Sequence, residues 1–331
     1  MKVFLIALMV AALSVSSVSA YTVQPIEFPT CVTILALNKQ NQLLGNQCNG
    51  GHAFVWTDGN IMELTVPEAV ETSARGFNDK GQVAGSYDDG TTRHGFLWNG
   101  TRFIALDPPG SIFTEAIDVN NKGHVVGYYI DESEITHNFL WTGKKFTIID
   151  APEGFIITER PAINNRDHVL THYIDDGNQF QPFIWAKGRV IDVLEFLRVQ
   201  AFNDRDQVLL FSEHDIQVWQ NGQVQTFNPD PNAAFLIAQD INARGQITGH
   251  FDLGTGFVFE LRTRKFTTFR HSPEVELFPL FINANGVIFG QSNINPGATG
   301  FFLAFPDKKQ RSIDVSSIRE NGADIELRMH R

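Results

Sequence analysis

Seven times between residues 37 and 290 the chain repeats an apolar residue, an asparagine, a short polar run and a small or apolar ending. The copies read LNKQNQLLG, FNDKGQVAG, VNNKGHVVG, INNRDHVLT, FNDRDQVLL, INARGQITG and INANGVIFG. Their asparagines (Asn38, Asn78, Asn120, Asn164, Asn203, Asn242 and Asn283) stand 39 to 44 residues apart. Such a period predicts a repeat architecture rather than two unrelated domains. Each copy also has a local reading. Asn at the head of a turn, with a left-handed residue three positions on, suits a type I turn closing a tight hairpin. Gly81, Gly123, Gly245 and Gly286 supply that position in four copies, and Asn41, Asp167 and Asp206 in the others. Asn and Asp are the side chains that best tolerate a positive φ.

Within one unit, 74–78, 82–87, 94–98 and 102–107 are short apolar runs separated by turn signals. Four strands in about forty residues, repeated, predict propeller blades. The fold class is therefore all-β, a single seven-bladed β-propeller over residues 21–331 with four-stranded antiparallel blades. In HAFVW, the third strand of the first unit, alternation puts His52, Phe54 and Trp56 on one face and Ala53 and Val55 on the other. Phe96/Trp98, Phe139/Trp141, Phe183/Trp185 and Trp219 repeat the aromatic row, Phe257/Phe259 carry it in the sixth unit, and GFFLAF in the seventh is hard to register. The Trp residues are thus assigned to packing between blades. VQPIEFP at the start and QRSIDVS near the end both resemble a fourth strand, so either terminus could complete the last blade.

The His52-Ala53-Phe54 triplet, the N-x-x-G-x-[VI]-x-G hairpin and the LDPPG and IDAPEG segments closing units two and three resemble the HAF family of extracellular bacterial repeats. The resemblance covers roughly residues 30–315. It implies a secreted, propeller-like protein and brings no known catalytic residues.

The first twenty residues read as a secretory leader: Lys2, an apolar run from Val3 to Leu13, and a small-residue cleavage site at Ala20. Eleven apolar residues are too few to span a bilayer. The expected mature protein is a secreted or periplasmic monomer with a polar tail from about residue 316 and no membrane span. Its formal net charge of −11 argues against nucleic acid as a partner. Cys31 and Cys48 are the only cysteines. In an oxidising compartment they are expected to pair. About a turn spanning residues 38–42 they fall almost opposite each other on the first two strands.

Little chemistry is written in motifs. The chain has no His-Glu-x-x-His, CxxC, phosphate-binding Gly-Lys-Ser/Thr or Gly-x-Ser-x-Gly sequence. His52, His94 and His137 share one position before the third-strand Phe; strand-end bonding to the next blade is preferred to a metal ring, since zinc needs its ligands at about 2 Å. Asp118 and Asp240, two residues before the turn Asn, either line the channel or bond amides of the neighbouring blade. The expected site is non-catalytic and needs no cofactor. The Asp-Asp-Gly loops suggest calcium, but two adjacent carboxylates do not supply six to eight oxygens.

Antiparallel topology places the 1–2 and 3–4 turns on one side of the disc and the 2–3 loops on the other. The 2–3 loops are longer and acidic: Asp88, Asp89, Asp131, Glu132, Glu134, Asp175, Asp176, Glu213, Asp215 and Asp252, with Arg93 the one basic residue. The tight turns carry the basic residues, among them Lys39, Lys80, Lys122, Arg166, Arg205 and Arg244. This predicts binding of an extracellular protein, glycan or cell-surface partner through the long-loop face. The alternative is a hydrolase or lyase acting on an extracellular polysaccharide at the channel mouth.

Overall fold

In the computed structural model, residues 20–48, 52–152, 155–158, 161–194, 198–252, 254–293 and 300–307 are described. The leader 1–20, apart from Ala20, and the tail from about 316 lie outside them. Seven antiparallel sheets form seven blades, and every described segment of regular structure is a strand. Blade 2 is typical, with strands Glu71–Phe77, Val83–Asp88, Arg93–Trp98 and Phe103–Ala105 in order. Blade 1 spans 32–64, blade 3 111–149, blade 4 156–193, blade 5 199–227 and blade 6 236–269. Blade 7 takes three strands from 277–306 and its outermost strand, Tyr21–Ile26, from the other end of the chain. Tyr21 faces Pro306 and Ile26 faces Phe301 in that pairing. The N-terminal segment thus closes the ring, and QRSIDVS, residues 310–316, lies outside the described residues.

The alternation read in HAFVW decides the packing. Phe54 and Trp56 pack with Phe289 and Leu303 of blade 7, while Ala53 and Val55 pack with Val83 and Phe96 of blade 2. Each of the seven apolar clusters lies between two consecutive blades, so the core is divided into seven wedges. Trp98, Trp141, Trp185 and Trp219 each join the cluster shared with the preceding blade. In blade 7 Phe302 and Ala304 face blade 6, and Phe301 and Phe305 face blade 1. That settles the register the sequence left open.

The turn residues do more than turn. Left-handed φ appears at Asn41, Gly81, Gly123, Asp167, Asp206, Gly245 and Gly286, between 58° and 81°. Each head asparagine is buried. Its Oδ1 accepts the backbone N–H groups two and four residues on, in all seven copies. Its Nδ2 donates to the carbonyl of the next blade's asparagine: Asn38 to Asn78, onward through Asn242 to Asn283, and Asn283 back to Asn38, at 2.8–3.4 Å. Seven buried amides thus form a closed hydrogen-bonded ring around the axis.

A one-residue bulge precedes the turn in the first strand of six blades, as between Ile34 and Ala36 or Ala74 and Gly76. It presses the first strand onto the second: a Cβ on Gly85 would lie 2.2 Å from the Ser73 carbonyl oxygen. In the five copies that end in glycine a side chain would not fit, and Thr171 and Leu210 take the position in blades 4 and 5.

Candidate functional site

The long-loop face is built from carboxylates that organise their own loops. Asp89 accepts the amides of Thr91 and Thr92 and the Thr91 hydroxyl, and its second oxygen meets His94 Nε2 at 3.3 Å. Asp131 accepts the amides of Ser133 and Ile135 and contacts His137 Nε2 at 3.0 Å. Asp175 accepts the amides of Gly177 and Gln179 and the Gln181 side-chain amide. These bonds hold all three carboxyls below the usual range, the Thr91 hydroxyl contributing most at Asp89, the Ile135 amide at Asp131 and the Gln179 amide at Asp175. Asp88 accepts the Gly90 amide, Asp215 the Gln217 side-chain amide, and Asp252 the amides of Ala234 and Phe235. The ten predicted residues thus share one face but do not converge on one point.

His94 and His137 stay within their own blades rather than bonding to the next one as expected. His94 lies between Asp89 and Asp107 and stacks on Tyr87, and His137 stacks on Tyr129. Each of the two histidines stands at the start of the third strand, within reach of a carboxylate of the loop before it. His52 differs: its Nδ1 is buried with no hydrogen-bond partner among the described residues. No group of three or more His, Cys, Asp or Glu suited to a metal ion occurs among the described residues.

Asp118 and Asp240 are clamps between blades. Asp118 accepts its own neighbour Val119 N–H and, across the interface, Ile163 N–H of blade 4, at 2.8 and 2.9 Å. Asp240 does the same with Ile241 and with Ile282 of blade 7. Burial pushes both carboxyls up to about 6, against the opposing pull of those amides.

One group was not singled out in the sequence. Glu115, on the first strand of blade 3, is buried and takes Arg75 Nε and Nη2 at 2.9 Å, the Ser86 hydroxyl and the Tyr128 hydroxyl. Arg93, paired with Glu71, lies 4.0 Å away. Arg75 is the bulged residue of blade 2, and the bulge aims it at the next blade. Only pairing the bulge with a glutamate forty residues on would have found this cluster.

On the tight-turn face an axial cavity of about 180 Å³ sits over the asparagine ring, lined in part by Leu37, Phe202, Ile241 and Ile282 with Asp79 and Asp204. Both carboxylates are engaged: Asp79 by the Lys39 amide and Asn121, Asp204 by both nitrogens of Asn165.

Exposed large apolar side chains separate the two faces. Val70, Ile112, Ile135, Ile156, Phe180 and Phe235 lie at the loops and strand ends of the long-loop face. Met62, Ile191 and Val224 lie on outermost strands, and the tight turns contribute none among the described residues.

No protein-family model matches the chain, and no curated protein matches it. Solved structures do. A YCF48 structure described as bound to D1 peptide is 11% identical, with a TM-score of 0.54 over 89% of this chain and 97% of that one. YCF48 from Cyanidioschyzon merolae is 9% identical, with a TM-score of 0.52 over 86% and 98%. A virginiamycin B lyase from Staphylococcus aureus is 13% identical, with a TM-score of 0.50 over 86% and 99%. At these identities the likeness is one of fold. This chain is a seven-bladed β-propeller.

Proposed function

We propose that this chain is a secreted, non-catalytic propeller that binds a protein partner through its long-loop face. The observation that carries the reading is the segregation of exposed apolar side chains. They gather among the acidic loops, whereas the opposite face is stitched by the asparagine ring and charged turns. A propeller related in fold is described with a bound peptide. The disulfide between Cys31 and Cys48 suits an oxidising compartment, as does the resemblance to HAF repeats. The alternative, a polysaccharide hydrolase or lyase, asks for a carboxylate free to move a proton. Glu115, the carboxylate set among cations, has both oxygens committed to Arg75, Ser86 and Tyr128.

The test is a peptide array and a polysaccharide array probed in parallel, with reducing ends assayed on the second. Saturable peptide binding without release of reducing ends is expected. Release that scales with protein concentration would overturn the reading.

A further inference from the structure

We propose that the footprint is one sector, the long-loop side of blades 2 to 4, and that it fits a cationic protein segment bearing apolar side chains. The inference rests on the binding role proposed above and gives it a place and a partner chemistry. Single exposed apolar residues are ordinary on any surface. Here five of the large ones, Val70, Ile112, Ile135, Ile156 and Phe180, fall in three consecutive blades on one face, with exposures of 48–70%.

Hydrogen bonds and strand pairing tie the segments that carry them to the three loops. Val70 N–H donates to the Asp88 carbonyl at the edge of the blade 2 loop, at 2.8 Å. Thr92 of that loop donates its hydroxyl to the carbonyl of Ile112, at the start of blade 3. Ile135 is anchored on Asp131. Ile156 faces Ile174, which faces Phe180 on the next strand, so blade 4 presents them in a row. Asn138 of blade 3 donates to the Thr158 carbonyl beside that row, tying blade 3 to blade 4.

The same three loops hold most of the acidic side chains. Asp89, Asp131 and Asp175 are spent on holding loop shape, which fixes the others in position before anything binds. Glu132, Glu134 and Asp176 are exposed. A purely apolar partner would strip water from these carboxylates without replacing it, and an acidic glycan would be repelled. A neutral sugar carries no charge to balance the carboxylates. Lysine or arginine interspersed with apolar side chains satisfies both halves of the surface.

A random linear peptide library displayed on phage, selected against the full chain, tests this. The expected result is enrichment of peptides with net positive charge and apolar residues, with affinity falling as salt rises. Ile156→Ser with Phe180→Ser, and separately Glu132→Lys with Asp176→Lys, should each weaken the selected peptides at least tenfold. Val224→Ser, on the outermost strand of blade 5, should leave binding unchanged. All these side chains are exposed, so unchanged thermal unfolding serves as the folding control. A peptide with its lysines changed to glutamate should regain binding to the charge-reversed variant. Selected peptides that are acidic, or that ignore both variants, would overturn the sector while leaving a protein-binding role standing. A library that yields no binder at all would overturn both.

Discussion

An asparagine heading a type I turn uses its side-chain oxygen within its own turn by accepting two amides, which leaves both hydrogens of its amide nitrogen to find acceptors elsewhere. Here the amide is buried, and the ring uses two solutions, one in blades 1, 2, 5 and 6 and the other in blades 3, 4 and 7. Where the residue four after the asparagine is Gln42, Gln82, Gln207 or Gln246, its Oε1 accepts the Nδ2 hydrogen, and the next blade carries glycine at the left-handed position. A Cβ on Gly123 would lie 3.2 Å from Gln82 Oε1. Where the fourth residue is His124, His168 or Val287, the next blade supplies Asp167, Asp206 or Asn41, whose Oδ1 takes the hydrogen. The sequence pattern suggested that Asn and Asp merely tolerate positive φ. The structure shows that they accept a hydrogen bond from the preceding blade. This makes a paired prediction. Asp206→Gly removes backbone strain yet leaves one Nδ2 hydrogen of Asn164, His168 Nδ1 and the exposed Arg166 without their partner, and should cost about 1–2 kcal/mol in urea unfolding. Adding His168→Gln recreates the glutamine–glycine pair and should recover most of the loss. Additive losses would refute the exchange.

Strand bulges explain why other signals were legible only in part. The cysteines looked one residue out of register in a regular hairpin. The bulge between Ile34 and Ala36 shifts the pairing, Val32 then faces Gln47, and Cys31 comes opposite Cys48 with its carbonyl accepting the Cys48 amide. Replacing both with alanine should cost roughly 3 kcal/mol in the chain-entropy account of a loop this size. Unchanged stability by denaturant titration would refute a stabilising role. The bulge also places Asp118 and Asp240 where each can clamp the next blade, a role the sequence offered only as one of two alternatives. Their pH consequence follows from burial. Folded, each holds its proton up to about pH 6; unfolded, only to about 3.8. Between those values the native state binds more protons, so stability falls as pH rises through the window and levels off above it. A shift of this size is worth roughly 3 kcal/mol per group. Asp89, Asp131 and Asp175 act oppositely and elsewhere: their contribution is present above the unfolded carboxylate range and is lost as pH falls below it. The double variant Asp118→Asn, Asp240→Asn should therefore show a flatter decline in melting temperature between pH 4 and pH 6. An identical slope in both proteins would contradict the assignment.

At the scale of the whole molecule, period and blade count were readable because the turn motif recurs seven times, and the interface aromatics were readable in six units. Ring closure and the asparagine ring were not, because both depend on contacts between units. Closure by Tyr21–Ile26 leaves the strand Gly300–Pro306 as an open edge if the segment is removed. A chain beginning at residue 29 should then associate or unfold at lower temperature than one beginning at residue 21. Charge reversal across the acidic loops also needs selectivity, because Asp89 and Asp175 hold loop conformation and Asp176 does not share those bonds. The account divides the disc into a stitched face and a binding face. The direct measurement is hydrogen exchange of the full chain with and without a saturating cationic, apolar-bearing peptide from the library. Slowed exchange in the 2–3 loops of blades 2 to 4, with the turns around Asn203, Asn242 and Asn283 unchanged, is the predicted result. Protection centred on those turns would contradict it.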